Sequence, residues 1–224
     1  MYTLQHKVAI KWSPNFAYAI GLITSDGHLA KDGRHLGFAS KDKELVEKFK
    51  YCFSLTNRIR RGTRGGEKEK KYFTIVFGDK VFYRFLNGIG LENAKSKTIK
   101  EVKVPDTFFS DFVRGVFDGD GTFYSYWDTR WPKSFVYQIS FASASLNFVQ
   151  WLKNRLTVLY DVRGFICRGD GVYNIRYVKS DTRKLFSAMY YRDDGMYLER
   201  KHQKIKRAFE LDKRLGIARG KMPG

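Results

Sequence analysis

Two aspartates stand 94 residues apart (120 − 26), and each closes an apolar stretch that ends in Asp-Gly: Ile20 to Gly27 reads IGLITSDG, and Arg114 to Gly121 reads RGVFDGDG. Five residues before each aspartate lies a glycine, Gly21 or Gly115. Apolar residues at helical spacing run through both stretches, Tyr18 and Leu22 in one, Phe109, Phe112 and Val116 in the other, so Asp26 and Asp120 each end a helix. A carboxylate in that place meets the negative end of the backbone dipole. Two of them side by side would have raised pKa values unless a cation sat between them. Their hard oxygens suit Mg2+, which keeps several waters and accepts phosphate oxygens as further ligands. The chemistry implied is metal-assisted work on a phosphate ester.

For that chemistry the two helices must lie together. Small residues at four-residue spacing, Gly21 and Ser25, then Gly115 and Gly119, leave a flat strip along each helix. Glycine inside a helix costs roughly 1 kcal/mol relative to alanine, and close backbone packing supplies a reason for it. Parallel packing through Gly21 and Gly115 would bring Asp26 and Asp120 out next to each other. Asp118 lies about 200° around the helix from Asp120 and reads as a polar contact on the helix flank.

The rest of the chain repeats with the helices. Ser13-Pro14 caps the first, ending near Ser25, and Pro105-Asp106 opens the second, ending near Gly119. Each is followed by a strand pair (HLA and RHLGFAS; TFYSYW and FVYQISFA), an amphipathic helix (DKELVEKFKYCF; SLNFVQWLKNRL) and a basic hairpin (NRIRRG and KYFTIVF; DVRGFICRG and VYNIRYV). Closing helices are expected at LENAKSK and LERKHQK, which share Leu-Glu, four residues, Lys. The order α-β-β-α-β-β-α-α thus occurs twice, giving an α+β protein of two pseudo-symmetric halves, residues 1–103 and 104–224. Alternation points Phe73, Ile75, Phe77, Tyr173, Ile175 and Tyr177 toward the helices and leaves Thr74, Asn174 and Arg176 on a polar, basic face. Val76 on that face breaks the pattern.

With 42 Lys+Arg against 23 Asp+Glu, the chain carries a net charge of +19, which calls for a polyanionic partner, nucleic acid first. No apolar run approaches the ~18 residues of a spanning helix. The opening MYTLQHKVAIKW has neither the apolar core nor the cleavage site of a secretion signal, so a soluble intracellular protein acting where the host DNA lies, in cytoplasm, nucleoid or organelle matrix, is expected. Cys52 and Cys167 lack CxxC spacing and read as buried free thiols. The tail ARGKMPG is expected to fray.

The nine-residue stretches Ala19–Gly27 and Val113–Gly121, both keeping the third-position glycine and the closing Asp-Gly, resemble the motif of the LAGLIDADG homing endonucleases in their monomeric two-motif form. The resemblance implies halves of order αββαββα, motif helices at the interface between them, and antiparallel sheets forming a DNA-binding saddle. It implies intron-homing cleavage of a long asymmetric double-stranded DNA site, one phosphodiester per strand, with short 3′ overhangs. Two or more Mg2+ ions would be held by Asp26 and Asp120 and by the carbonyls of Ser25 and Gly119. Positional matches to the basic and polar residues around the metals are Ser40, Lys41, Lys97 and Lys204; the match of Lys41 is Ala144.

Under the same resemblance the polar sheet faces line the major groove, wide enough for β-ribbons. Candidate base readers are Arg58, Arg60, Lys71 and Thr74 in one half and Gln138, Ser140, Arg163, Asn174 and Arg176 in the other, with His35, Tyr124 and Tyr126. The loop Thr63–Lys70 and the loop holding Asp128, Arg130 and Lys133 are expected to reach flanking bases or phosphates. The rival readings are an intron RNA maturase and a DNA-binding regulator that does not cut.

Overall fold

The computed structural model describes residues 7–63 and 69–220, the last four of these by backbone alone. The first half runs α1 (Pro14–Asp26), β1 (Gly27–Leu29), β2 (His35–Ser40), α2 (Lys43–Cys52), β3 (Arg60–Gly62), β4 (Tyr72–Gly78) and α3 (Lys80–Gly88). The second runs α4 (Phe109–Asp120), β5 (Gly121–Trp127), β6 (Phe135–Ser143), α5 (Leu146–Tyr160), β7 (Phe165–Arg168), β8 (Tyr173–Val178), α6 (Ser180–Met189) and α7 (Glu199–Gly220). Two antiparallel sheets result, ordered β1-β2-β4-β3 and β5-β6-β8-β7, so the fold is α+β with the same connectivity twice. Among the described residues no helix is long and apolar enough to cross a membrane.

Local signals account for the helix starts. Ser13 Oγ accepts from Phe16 N at 3.2 Å and Pro14 takes the first helical position of α1, where its missing N–H costs nothing. Pro105 instead opens a 3₁₀ turn, Asp106–Phe108, and α4 follows from Phe109. The serine caps of the strand-to-helix turns match in shape. Ser40 Oγ accepts from Asp42 N and Ser143 Oγ accepts from Ser145 N, both at 3.2 Å.

Each sheet presses one face on its helices. Phe38, Ile75 and Phe77 are buried in the first half, Phe141, Ile175 and Tyr177 in the second, as alternation requires. Phe38 stacks on Phe49 of α2 at 4.6 Å, and Phe16, Phe53 and Phe82 close the same core edge-to-face. Registers agree between the halves: Gly27 pairs with Phe38 and Phe38 with Ile75, as Gly121 pairs with Phe141 and Phe141 with Ile175.

Departures from expectation lie in the connections. LENAKSK is a series of turns, not a helix, whereas the second half closes with the 22-residue α7. Strands β3 and β7 are shorter than their basic segments suggest. Of the Thr63–Lys70 loop, residues 64–68 lie outside the described residues, as do the first six of the N-terminal stretch and the last four of the tail, whose Ala218–Gly220 continue the helical backbone of α7. Cys52 and Cys167 are free, half-buried thiols, and burial pushes Cys52 up to about 12.

Candidate metal and nucleic-acid site

Helices α1 and α4 pack along each other, and the glycines make this possible. A Cβ on Gly21 would stand 2.9 Å from Gly115 Cα and inside contact distance of the Phe112 carbonyl. A Cβ on Gly115 would stand 3.0 Å from Gly21 Cα and inside contact distance of the Tyr18 carbonyl, the repeat partner of Phe112 (112 − 94 = 18). Backbone thus meets backbone about a local two-fold axis. The helices run parallel: at their far ends a Cβ on Gly119 would strike the Ser25 side chain and come within 3.3 Å of Asp26 Oδ2. Asp26, half-buried, and Asp120, exposed, therefore leave the pair at the same end.

Two buried lysines mark that end electrostatically. Lys95, 6% exposed, donates to the Gly27 carbonyl, and Lys201, 8% exposed, donates to the Gly121 carbonyl at 2.7 Å. Since Gly121 is the repeat partner of Gly27, each lysine ties down the residue after one aspartate. Burial pulls both amines down to about 8, and both feel the opposing pull of Asp120 and Asp26 together. Each amine thus lies within electrostatic reach of both carboxylates. Lys201 also donates to the carbonyls of Phe117 (2.6 Å), Asp118 (2.9 Å) and Gly119 (3.3 Å), so the last turn of α4 has a cation where the dipole asks for one.

Sequence reasoning missed these lysines by pairing Lys97 with Lys204. Lys97 is exposed, while Lys204 Nζ donates to the Phe123 carbonyl at 2.9 Å. The repeat partner of Phe123 is Leu29, whose carbonyl accepts from Asn93 Nδ2. Asn93 precedes Lys95, yet Lys204 follows Lys201, so the two closing segments pass their strands in opposite directions and cannot be aligned residue by residue. A signal was present all the same. Leu91, Lys95 and Ile99, and Leu198, Lys201, Ile205 and Ala208, follow helical spacing, and every one is buried. A lysine on an apolar stripe is rarely fully buried without a partner.

Around this cluster the halves differ. Asp118, fully buried, accepts from Tyr18 OH (2.8 Å) and Leu198 N (2.7 Å), tying α1, α4 and the approach to α7 together. Burial raises its pKa to about 6 against the lowering pull of Lys201. Beside it Arg114 pairs with Asp111 at 2.5 Å and donates to the carbonyls of Met196 and Met189. Its repeat partner is Ile20 (114 − 94 = 20), so this polar bracket serves the second half alone. Lys41 sits in the Ser40–Asp42 turn over the ring of Tyr72 (5.4 Å), and the same turn in the second half holds Ala144.

On the polar face of the first sheet, Arg58 and Arg60 are exposed and Thr74 is half-buried. Lys71 is exposed and pairs with Glu69 (3.0 Å), and the His35 ring is held by Asp32. On the second, Tyr124, Tyr126, Lys133 and Arg163 are exposed, and Gln138, Asn174 and Arg176 are half-buried. Ser140 lies between Thr122 and Arg176 but is only 4% exposed, which shields it from an incoming base. Among the described residues no group of three or more His, Cys, Asp or Glu gathers to hold a metal. The donor set at the helix ends is two carboxylates with neighbouring carbonyls, and of these the Gly119 carbonyl already accepts from Lys201.

A family model described as a LAGLIDADG-like domain matches residues 13–90. No curated protein matches the chain. The I-LtrWI LAGLIDADG homing endonuclease bound to target DNA superposes with a TM-score of 0.62, covering 93% of this chain and 91% of that one at 11% identity. Full-length DUF199/WhiA from Thermatoga maritima gives 0.58 at 14% identity, covering 96% of this chain, which spans 64% of that one. I-DmoI in complex with DNA and Ca gives 0.52 at 15% identity, over 80% and 91% of the two chains. At such identities the structural likeness establishes the two-half fold. The LAGLIDADG-like family model thus falls on the first half of the chain, and the second half repeats the same sheet order.

Proposed function

We propose that this protein is a divalent-metal-dependent homing endonuclease that hydrolyses one phosphodiester in each strand of a long, asymmetric duplex site and leaves short 3′ overhangs. One observation carries the reading: two carboxylates from two helices, Asp26 and Asp120, leave the helix pair at the same end, within electrostatic reach of both Lys95 and Lys201, in a chain of net charge +19. The donor set fits Mg2+, since two hard oxygens leave room for waters and phosphate oxygens. Asp26 and Asp120 would hold the ion, with the Ser25 carbonyl as a further ligand. When bound, it would supply an activated water and charge for the departing 3′ oxygen.

The chain's own groups do the rest. Lys95 and Lys201 fix the backbone after each aspartate. Lys41, beyond the end of β2, is placed to meet a phosphate charge, and the basic sheet faces hold the duplex in register. The DNA named with I-LtrWI and I-DmoI supports a duplex partner, and the Ca named with I-DmoI supports a divalent ion.

A second reading is a DNA-binding protein on the same scaffold that does not cut. It draws on the two lysines, which already compensate both carboxylates, and on the likeness to WhiA. Cleavage of end-labelled duplexes, first selected from a randomised library with Ca2+, separates the readings. We expect Mg2+-dependent cutting of both strands by the wild type and none by Asp26→Asn or Asp120→Asn, with duplex binding kept. Binding without cutting by the wild type would favour the regulator, and retention of structured RNA alone would favour a maturase.

A further inference from the structure

The two polar sheet faces can be superposed residue by residue, because both registers are anchored on the Asp-Gly pairs. Ile75 and Ile175 pair with Phe38 and Phe141, so Val76 and Arg176 occupy the same place in the two halves. Across the strands Val76 neighbours Gly37 and then His28, where Arg176 neighbours Ser140 and then Thr122. Val76 is the residue that broke the alternation of polar outward positions. Its side chain is 53% exposed, an unusual place for a β-branched apolar group.

Its surroundings say what it faces. Val76 sits in a depression whose walls include Lys7, Arg34, Arg58 and Arg60, cations suited to phosphates on either side of a groove. Gly37 leaves its flank uncrowded, for a Cβ there would make only ordinary contacts, with Val76 Cγ2 and the Ile75 carbonyl at 3.7 Å. Asn57 Nδ2 donates to the Val76 carbonyl at 2.9 Å, which steadies the backbone beneath it. A bare isopropyl group ringed by positive charge is a poor surface for a polar base edge. It matches the one apolar feature of the major groove, the 5-methyl group of thymine.

We propose that Val76 reads a thymine methyl at the position of one half-site that mirrors the position read by Arg176 in the other, where the guanidinium meets guanine. This rests on the DNA-binding reading above but does not require cleavage. The target is then asymmetric at matched positions because valine and arginine stand at one structural place.

The test is selection of duplexes from a randomised library with Ca2+ by the wild type, Val76→Arg, Val76→Ala and Arg176→Val, all checked by thermal melting. The wild type should enrich thymine at one position and guanine at its mirror, and Val76→Arg should turn the first preference to guanine while leaving the second. Replacing that thymine by deoxyuridine, which lacks only the methyl, should weaken wild-type binding about fourfold, the weight of one buried methyl, and should not affect Val76→Ala. Unchanged base preference in folded Val76→Arg, or equal binding of thymine and deoxyuridine duplexes, overturns the inference while leaving duplex binding intact. Retention of no duplex at all overturns both it and the reading beneath it.

Discussion

The halves of this molecule agree where backbone must meet backbone and differ where the surface would meet a ligand. Gly21 and Gly115, Asp26 and Asp120, and the lysine-held carbonyls of Gly27 and Gly121 occupy equivalent places in the two halves. Lys41 against Ala144 and Val76 against Arg176 do not match. Fusing two copies of one fold keeps the shared centre under one geometric constraint, because a change in either helix is felt by both. Each outer face is free to change alone. Even the braces between halves are unequal: Arg200 forks onto Asp42 at 2.8 and 2.6 Å, whereas Ser145 donates to the Ile99 carbonyl.

The sharpest way to break the symmetric part is Gly115→Leu. The new side chain must enter the space of the Tyr18 backbone, and overpacking against main chain leaves no cheap relaxation. A loss of more than about 3 kcal/mol in urea unfolding is expected, or no folded protein at all. Full stability would mean that the helices do not touch here.

Next in size are the two buried lysines. Lys201→Met leaves four carbonyls and Asp118 without their cation, whereas Lys95→Met frees the Gly27 carbonyl. We expect about 3 kcal/mol for the first and roughly half for the second. Equal losses would mean that the bracket around Asp118 contributes nothing beyond the common site.

Strand-specific nicking rates probe the unequal turns. If the proposed cleavage sets Lys41 near one scissile phosphate and Ala144 near the other, the wild type should cut one strand about tenfold faster, a barrier difference of about 1.4 kcal/mol. Lys41→Ala should slow that strand, and Ala144→Lys should speed the other. Strands cut at one rate in all three proteins would remove Lys41 from the account. Smallest of all is the brace: Arg200→Ala should cost about 0.5–1 kcal/mol and less in high salt, since the pair is partly exposed.

Much of this was legible in the residues. Glycine spacing on α1 and α4 announced the close crossing, since only a missing side chain permits it, and period-two alternation announced which sheet faces are buried. The closing segments were not legible. LENAKSK and LERKHQK share a spacing, but one folds as turns and the other as helix, and they pass the strands in opposite senses, so a linear match paired Lys97 with Lys204. What fixes Lys95 and Lys201 is a carbonyl 68 or 80 residues earlier in the chain, a long-range contact that local pattern does not encode. Ser140 sits on the expected face but is covered by its neighbours, a fact of packing and not of periodicity.

The central claim is a divalent-metal site shared by one carboxylate from each half. Electron paramagnetic resonance of Mn2+ titrated into the protein tests it most directly, because bound ion loses the sharp six-line signal of free Mn2+. The account predicts saturable binding by the wild type, lost or weakened at least tenfold in both Asp26→Asn and Asp120→Asn while both remain folded. Wild-type affinity in either variant would contradict it.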